Sequence, residues 1–227
     1  YEIHERLVGS EMCIRDSSPV LLQEPDYSVA GTIDNTEYDK THADRFTVDG
    51  KSITMEEDVQ FAHYDPNVAS LMQLGKWFDY MRENGVYDNT RIILVADHGR
   101  GLYLNWDRVI DNGPDTDFFF PLLMVKDFNA EGFSFSDEFM TTADVPTLAT
   151  SGLIDNPTNP FTGNAINANA KYDRPFYAFM SYDWDTSKNN GNQFFPGTWY
   201  RVDNQNARDK RNWVMVGENT VLPDALR

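Results

Sequence analysis

The feature that most constrains the fold is a short, continuous apolar run, Ile92 to Ala96, which follows an amphipathic pattern. Apolar residues from Val68 to Met81 recur at steps of three and four, which predicts a helix over about 55–84 that ends at Gly85. Pro66 is tolerated in a first turn, so the main helix is expected to begin there. An apolar run without alternation is typical of a strand buried on both faces of a parallel sheet. Helix, tight connection and buried strand together predict an α/β fold with a mixed or parallel sheet flanked by helices.

Weaker patterns predict the remaining elements. The acidic, turn-rich stretch 18–48 is interpreted as a surface excursion, and Asp144 as the residue that caps a helix rather than as a metal ligand. The other predicted elements are a hairpin around Asp49-Gly50, a strand at 122–125, a helix at 144–153 that ends at Gly152, and strands at 176–180 and 199–202.

Composition excludes some classes of function. Hydrophobic residues make up 41% of the chain, which favours a packed domain over disorder. The formal net charge of -17 at pH 7 argues against nucleic acid as a partner, because phosphates repel such a surface. No apolar run approaches the roughly 20 residues that cross a bilayer, so nothing present is expected to span a membrane.

The first residues have the appearance of translated adapter DNA. Read backwards into codons, residues 12–17 give ATG-TGT-ATA-AGA-GAC-AG, the transposon end of a common sequencing-library adapter, and residues 7–11 continue it in frame. A signal peptide is disfavoured because charged residues interrupt the segment. We therefore interpret residues 1–17 as non-native, assign the only cysteine, Cys13, to the adapter, and expect that sequence upstream of Ser18 is missing.

Asp97-His98-Gly99 directly follows the predicted buried strand. Ligands of open α/β sheets bind beyond the carboxyl ends of strands, and Asp oxygen with His nitrogen suits a divalent metal ion. The alternative is a capped turn with no metal. Arg100 follows the motif, where it would hold an anionic ester group or, equally well, form a surface salt bridge. His63 could face the mouth of the active site, but we interpret it as a solvated or helix-capping residue, and we interpret His42 as exposed.

The order of several motifs resembles one enzyme superfamily. Residues 75–99, GKWFDYMRENGVYDNTRIILVADHG, look like the late segment of sulfatase-type enzymes of the alkaline-phosphatase superfamily. There a helix, a turn and a strand deliver an Asp-His pair to the metal, and strand 121–125 and helix 144–149 follow in that family's order. The segments 21–27, LLQEPDY, and 156–163, NPTNPFTG, narrow the resemblance to membrane-anchored proteins similar to lipoteichoic acid synthase.

The resemblance implies a site and a chemistry. Asp97 and His98 would bind a divalent metal ion (Mn, Mg, Zn or Ca). The remaining acidic ligand and the nucleophile, a threonine in the transferases and a formylglycine in sulfatases, would lie upstream of Ser18. The catalytic nucleophile is therefore not among the residues that we assign, and the fragment itself is expected to be inactive and soluble.

The implied parent protein is a metal-dependent phosphoglycerol-type transferase or phosphodiesterase. It would act on a phosphate- or sulfate-ester substrate, including lipid-linked esters, on the extracytoplasmic face of a bacterial cell membrane. Missing N-terminal segments would anchor it in that membrane. The alternatives are a sulfatase that hydrolyses sulfate esters and a non-catalytic binding module of the cell surface.

Three segments follow from these interpretations. Residues 1–17 are adapter-derived, residues 18–165 form the C-terminal part of a sulfatase-like catalytic domain, and residues 166–227 form a small β-rich C-terminal extension. The extension is rich in aromatic residues, for which packing is a more common use than glycan binding. These aromatic residues are Trp184, Phe194, Phe195, Trp199 and Trp213.

Overall fold

The computed structural model describes residues 20–48, 50–55, 58–104, 106–181 and 195–226. The segment 1–17 and the aromatic residues Trp184 and Phe194 lie outside the described residues. The described chain mixes helices with strands, which is compatible with the predicted α/β class. Its described residues form two compact units, those within 20–92 and 126–130 and those within 93–125 and 131–226. None of its described helices is long and apolar enough to cross a membrane.

The first unit begins with three local elements. Strands β1 (Leu21–Gln23) and β2 (Ser28–Ala30) form an antiparallel hairpin, and helix α1 (Thr36–His42) follows. The stretch 18–48 therefore contains regular structure that its turn-rich composition did not predict. Strands β3 (Thr47–Val48) and β4 (Lys51–Ser52) pair antiparallel, which confirms the predicted hairpin.

Helix α2 (Asp58–Glu83) is the longest described element of this unit and packs against β1. The prediction that it begins at Pro66 is wrong, because Pro66 lies inside the helix. A proline removes one backbone hydrogen-bond donor from a helix. The turns before it can still be helical when burial of their apolar side chains offsets that loss. Ala62 is buried in those turns, and the Asn67 side chain donates to the His63 carbonyl at 2.6 Å.

The end of α2 has the geometry that its sequence predicts. Gly85 has φ +67°, and its N–H donates to the Arg82 carbonyl at 3.0 Å. The next N–H, that of Val86, donates to the Met81 carbonyl at 3.0 Å. A left-handed residue with these two bonds satisfies carbonyls that the last turn leaves without partners. Gly85 therefore ends the helix as expected.

Strands β5 (Ile92–Val95) and β6 (Leu123–Lys126) pair with each other, and both were predicted. The Lys126 ammonium donates to the carbonyl of Tyr87 and, at 3.0 Å, to that of Thr90, both in the connection before β5. This lysine bonds carbonyls of the turn that separates helix from strand.

Burial of β5 differs from the expectation. Ile92 is buried, but Val95 is 44% exposed, so the prediction of burial on both faces is wrong. In the described chain β5 and β6 form a two-stranded sheet, and Val125 of β6 is also 45% exposed. The parallel sheet of the expected fold stays a prediction.

The second unit has a three-stranded antiparallel sheet with the order β7-β8-β9. Its strands are β7 (Phe176–Met180), β8 (Gly197–Val202) and β9 (Trp213–Thr220). The first two confirm the predicted strands, whereas β9 was not predicted. The buried core of the sheet consists of Ala178, Tyr200, Val202 and Trp213.

The segment between β5 and β6 packs on that sheet. Ile110, Phe119 and Phe120 lie partly buried against the core of the C-terminal strands. The ring centres of Phe119 and Trp213 are 5.0 Å apart. Strands β7, β8 and β9 thus share a core with three residues of the β5–β6 connection. The predicted domain boundary near residue 165 stays a prediction.

Helix α3 (Val145–Thr150) follows a 3-10 turn, Thr142–Asp144. Asp144 precedes the helix, as predicted, but its carboxylate does not accept from an N–H of α3. It accepts from the Thr141 N–H at 2.8 Å and lies 3.2 Å from the Lys171 ammonium. The residue therefore caps the 3-10 turn rather than α3 itself.

Candidate metal centre

The predicted ligands lie at the start of the β5–β6 connection. The buried residue Ala96 donates its N–H to the Leu122 carbonyl at 2.9 Å, which holds the chain beside β6 as it leaves β5. Asp97 and His98 follow, with side chains 59% and 52% exposed. Both donors are therefore accessible to a ligand from solvent.

The histidine ring is oriented by its own backbone. His98 Nδ1 lies 2.8 Å from the Gly99 carbonyl oxygen. A carbonyl oxygen only accepts, so Nδ1 carries the proton and, in the neutral ring, Nε2 carries the free lone pair. Such a hydrogen bond from the other ring nitrogen is typical of histidines that bind metal. The sequence did not reveal this acceptor.

The two predicted ligands are adjacent in space. His98 Nε2 lies 3.8 Å from Asp97 Oδ1, and that same oxygen accepts the His98 backbone N–H at 2.9 Å. The side chains thus present one imidazole nitrogen and one carboxylate to the same region. That donor pair suits Zn²⁺ or Mn²⁺ better than a purely oxygen-seeking ion.

Gly99 is required by the backbone that faces it. An added Cβ would lie 2.0 Å from the Asp117 carbonyl oxygen and 2.7 Å from that of Phe120. Its N–H donates to the Phe118 carbonyl at 3.0 Å. Both clashes involve backbone atoms, which do not rotate away as the end of a side chain does. This close approach fixes the turn that carries Asp97 and His98.

A buried aspartate holds the rest of the connection. Asp115 is fully buried, and its carboxylate accepts the N–H groups of Tyr103 and Asp117, each at 2.9 Å. Arg108 donates to the neighbouring Asp117 carboxylate at 3.1 Å. Burial raises the pKa of Asp117, an effect that Arg108 opposes and Asp115 reinforces. The connection is therefore an ordered structure built on carboxylates.

Arg100 is exposed beside the two predicted ligands. Its guanidinium carbon lies 6.0 Å from the centre of the Phe118 ring, and no ion pair joins it to a carboxylate in the part of the chain that the structure describes. The surface salt bridge that was one interpretation of Arg100 is thus absent there. Its role in binding an anionic ester stays a prediction.

The described donors do not complete a metal site. In the described ranges, no group of three or more His, Cys, Asp or Glu side chains is arranged to hold a metal ion. Asp97 and His98 supply two ligands, whereas zinc sites use three or four protein ligands. The two ligand types therefore suit a metal ion, but their number is too small, and a stable site requires further donors.

The other histidines have local partners. His63 Nδ1 lies 2.7 Å from the Val59 carbonyl within α2, and the His42 ring stacks on Tyr38 with ring centres 3.9 Å apart. Neither belongs to a group of three or more possible metal ligands among the residues that the structure describes. His42 is exposed, whereas His63 is half-buried within α2.

Sequence reasoning missed a buried cluster of charges in the first unit. Glu24 and Asp65 are buried, and Arg45 binds Glu24. Asp65 follows the buried Ala62 by three positions on α2, so a carboxylate on the apolar face of the helix was the available signal.

The comparisons with known proteins give no relative. No family model matches the chain, and neither the curated proteins nor the solved structures contain a match at the significance required. The resemblance to sulfatase-type enzymes therefore rests on the sequence motifs alone.

Proposed function

We propose that the chain is part of a metal-dependent enzyme that transfers or hydrolyses phosphate esters, a phosphoglycerol-type transferase or phosphodiesterase similar to lipoteichoic acid synthase. The observation that carries the proposal is the orientation of His98, whose Nδ1 donates to the Gly99 carbonyl while Nε2 faces the region of Asp97. An imidazole nitrogen with a free lone pair beside a carboxylate is a donor pair that a divalent metal ion can bind. Both residues directly follow a strand, where the resemblance places them.

The metal, when bound, would lower the pKa of a nucleophile and neutralise charge on the ester oxygens. The residues of this chain would hold the metal ligands in position. Gly99 allows the close backbone approach that fixes the turn, and Asp115 holds the connection behind it. Arg100 would bind an ester oxygen through its guanidinium. The nucleophile would come from residues outside this chain's assigned site.

Exposed apolar residues support a larger fold of the alkaline-phosphatase type. Val95, Leu122 and Val125 of the β5–β6 region are 44%, 48% and 45% exposed. Strands of a parallel α/β sheet bury such residues on both faces. Further strands or helices of the parent protein would cover them, which fits a domain of which this chain supplies only one part.

Metal binding is tested by paramagnetic NMR on the full chain. The sequence has four histidines, so their ring resonances are few and can be assigned. We expect added Mn²⁺ to broaden the His98 ring first, and the Asp97→Asn variant to lose most of that selectivity because one of the two charged donors is gone. Binding is expected to be weak, since two ligands do not complete a site.

The matched control is His42→Ala, which removes an exposed histidine from α1 and leaves Asp97 unchanged. Broadening of His98 in that variant is expected to equal that of the unaltered chain. Equal broadening of all histidine rings, or an unchanged pattern after Asp97→Asn, would show that the Asp97-His98 pair does not bind metal, and would contradict the proposal.

The class of ester is tested on the source DNA. We expect the sequence that precedes the codon for Ser18 to encode an acidic ligand and a threonine at the end of a strand. A Cys or Ser followed by x-Pro-x-Arg would identify a sulfatase instead. A parent gene with neither nucleophile would favour a binding module, and metal-dependent hydrolysis of a phosphodiester by the purified chain would show that its nucleophile lies within it.

A further inference from the structure

Asp65 is a buried carboxyl group in the described part of the first unit. It lies in α2, is fully buried, and neither of its carboxylate oxygens has a hydrogen-bond partner among the described residues. Transfer of an ionised carboxylate into such a site is strongly unfavourable unless a cation or several donors receive it. The side chain is therefore better accommodated as a neutral carboxylic acid.

The nearby cation is already used by two other carboxylates. Arg45 donates from Nε and Nη2 to the buried Glu24 carboxylate, with the Nη2–Oε2 distance 2.9 Å. The same guanidinium lies 2.6 Å from Asp39, and the Asn35 side chain donates to Glu24 at 2.8 Å. Glu24 thus receives hydrogen bonds from both Arg45 and Asn35, while Asp65 receives none of these hydrogen bonds.

Burial is the main influence on the pKa of Asp65. Burial raises the pKa of Asp65 to about 6; the Glu24 carboxylate adds to the effect, and Arg45 opposes it. Two tyrosines, Tyr27 and Tyr64, also interact electrostatically with Asp65. Burial raises the pKa of Tyr27 to about 12 and also raises that of Tyr64, so both phenols stay neutral near pH 7.

We propose that Asp65 is a proton-binding residue that couples the docking of α2 against β1 to pH. Protonated, its carboxyl group occupies the buried position without a net charge. Ionised, it places a second negative charge near Glu24, the residue that directly follows β1, and so opposes the contact between β1 and α2. Loss of the proton therefore weakens the packing of the first turns of α2.

The sign of the pH dependence follows from proton binding. The folded chain holds the Asp65 proton up to about pH 6, whereas the unfolded chain releases it near the ordinary pKa of 3.8. Between these values the folded state binds more protons, so stability falls as pH rises through the window and is constant above it. The full effect corresponds to a change on the order of 100-fold in the unfolding equilibrium constant.

Hydrogen exchange on the full chain tests the proposal. Protection of peptides that cover 58–74 would be measured from about pH 4.5 to about pH 7.5 and corrected for the intrinsic exchange rate. We expect the opening equilibrium constant of the unaltered chain to rise by one to two orders of magnitude across this range. The Asp65→Asn variant is expected to show a flat profile and more protection at the upper pH, because its amide never ionises.

The matched control is Asp79→Asn on the same helix. Asp79 is exposed and pairs with Arg82 at 2.8 Å, so the variant is expected to keep the pH slope of the unaltered chain. His63 lies two positions before Asp65 and is retained in all three proteins. A pH effect that comes from this histidine would therefore survive in Asp65→Asn and would contradict the proposal.

Two further results would overturn the assignment. The first is a carbon-13 titration of the Asp65 carboxyl in the unaltered chain with a midpoint at the ordinary value, a measurement that also decides the matter if Asp65→Asn does not fold. The second is stabilisation by Mg²⁺ or Ca²⁺ at about pH 7.5 that Asp65→Asn abolishes, since the carboxylate would then bind a metal cation rather than a proton.

Discussion

At the scale of single residues, Gly99 illustrates how closely two backbone segments approach. We predict that Gly99→Ala destabilises the fold by about 2–3 kcal/mol, because the added methyl group meets the Asp117 and Phe120 carbonyl oxygens. Backbone atoms must move to admit it, so the turn that carries Asp97 and His98 would shift as well. Urea unfolding measures the loss of stability.

Gly75→Ala is the control for the Gly99 prediction. Gly75 lies inside α2, and an added Cβ would meet no atom within 4 Å. Alanine has the higher helix propensity, so this variant is expected to gain about 0.5–1 kcal/mol. If both variants changed stability in the same direction, the close approach at Gly99 would not be what makes glycine necessary there.

At the scale of elements, the C-terminal end of α2 depends on a residue in the left-handed region. Gly85 has φ +67°, and an added Cβ would meet no neighbouring atom. We predict that Gly85→Ala costs about 1 kcal/mol through backbone strain alone, since side-chain crowding contributes nothing. Thermal unfolding followed by circular dichroism measures the change.

Gly85→Asn separates strain from the general effect of a side chain. Asparagine tolerates the left-handed region better than alanine does, so its cost is expected to be clearly smaller. An equal cost for both substitutions would mean that the loss does not come from the backbone conformation of Gly85.

At the scale of the whole molecule, each compact unit has its own buried groups. In the second unit, Trp213 lies 5.0 Å from Phe119 and 6.0 Å from Tyr200, measured between ring centres. Its indole N–H donates to the Ala207 carbonyl at 2.7 Å. One tryptophan of the C-terminal sheet thus contacts both the sheet and the connection that carries the candidate site.

We predict that Trp213→Ala destabilises the second unit by about 3–5 kcal/mol, because it removes a buried ring and leaves a cavity. Protection against hydrogen exchange should fall together in β8 and in residues 108–120. Met215→Ala, on the same strand but 56% exposed, is expected to change stability little. Loss of protection in the sheet alone would show that the connection does not depend on this core.

Local patterns predicted the elements well where the periodic signal was strong. The helix 58–83, the strands 92–95 and 176–180 and the end of α2 at Gly85 were all expected from apolar spacing and a glycine. The start of α2 was placed at Pro66 because proline is common in first turns. Packing of the preceding turns outweighed that single missing donor.

The candidate site was predictable as residues but not as geometry. Asp97 and His98 stand out because they directly follow an apolar strand. The acceptor for the His98 ring and the close approach at Gly99 depend on atoms that only folding places there. Asp115 carried no sequence signal, since its partners are backbone N–H groups of a connection without periodicity.

The sequence by itself determined where helices and strands form, because periodicity, glycine and proline act on neighbouring residues. It also determined which metal-binding atoms Asp97 and His98 provide, a carboxylate oxygen and an imidazole nitrogen. Only the tertiary structure decided that the segment between β5 and β6 packs on the C-terminal sheet and that Arg45 is shared by Glu24 and Asp39. It also decided that Asp65 is buried with no hydrogen-bond partner among the described residues. Burial and charge compensation depend on contacts between residues that are distant in the sequence, and local composition does not encode those contacts.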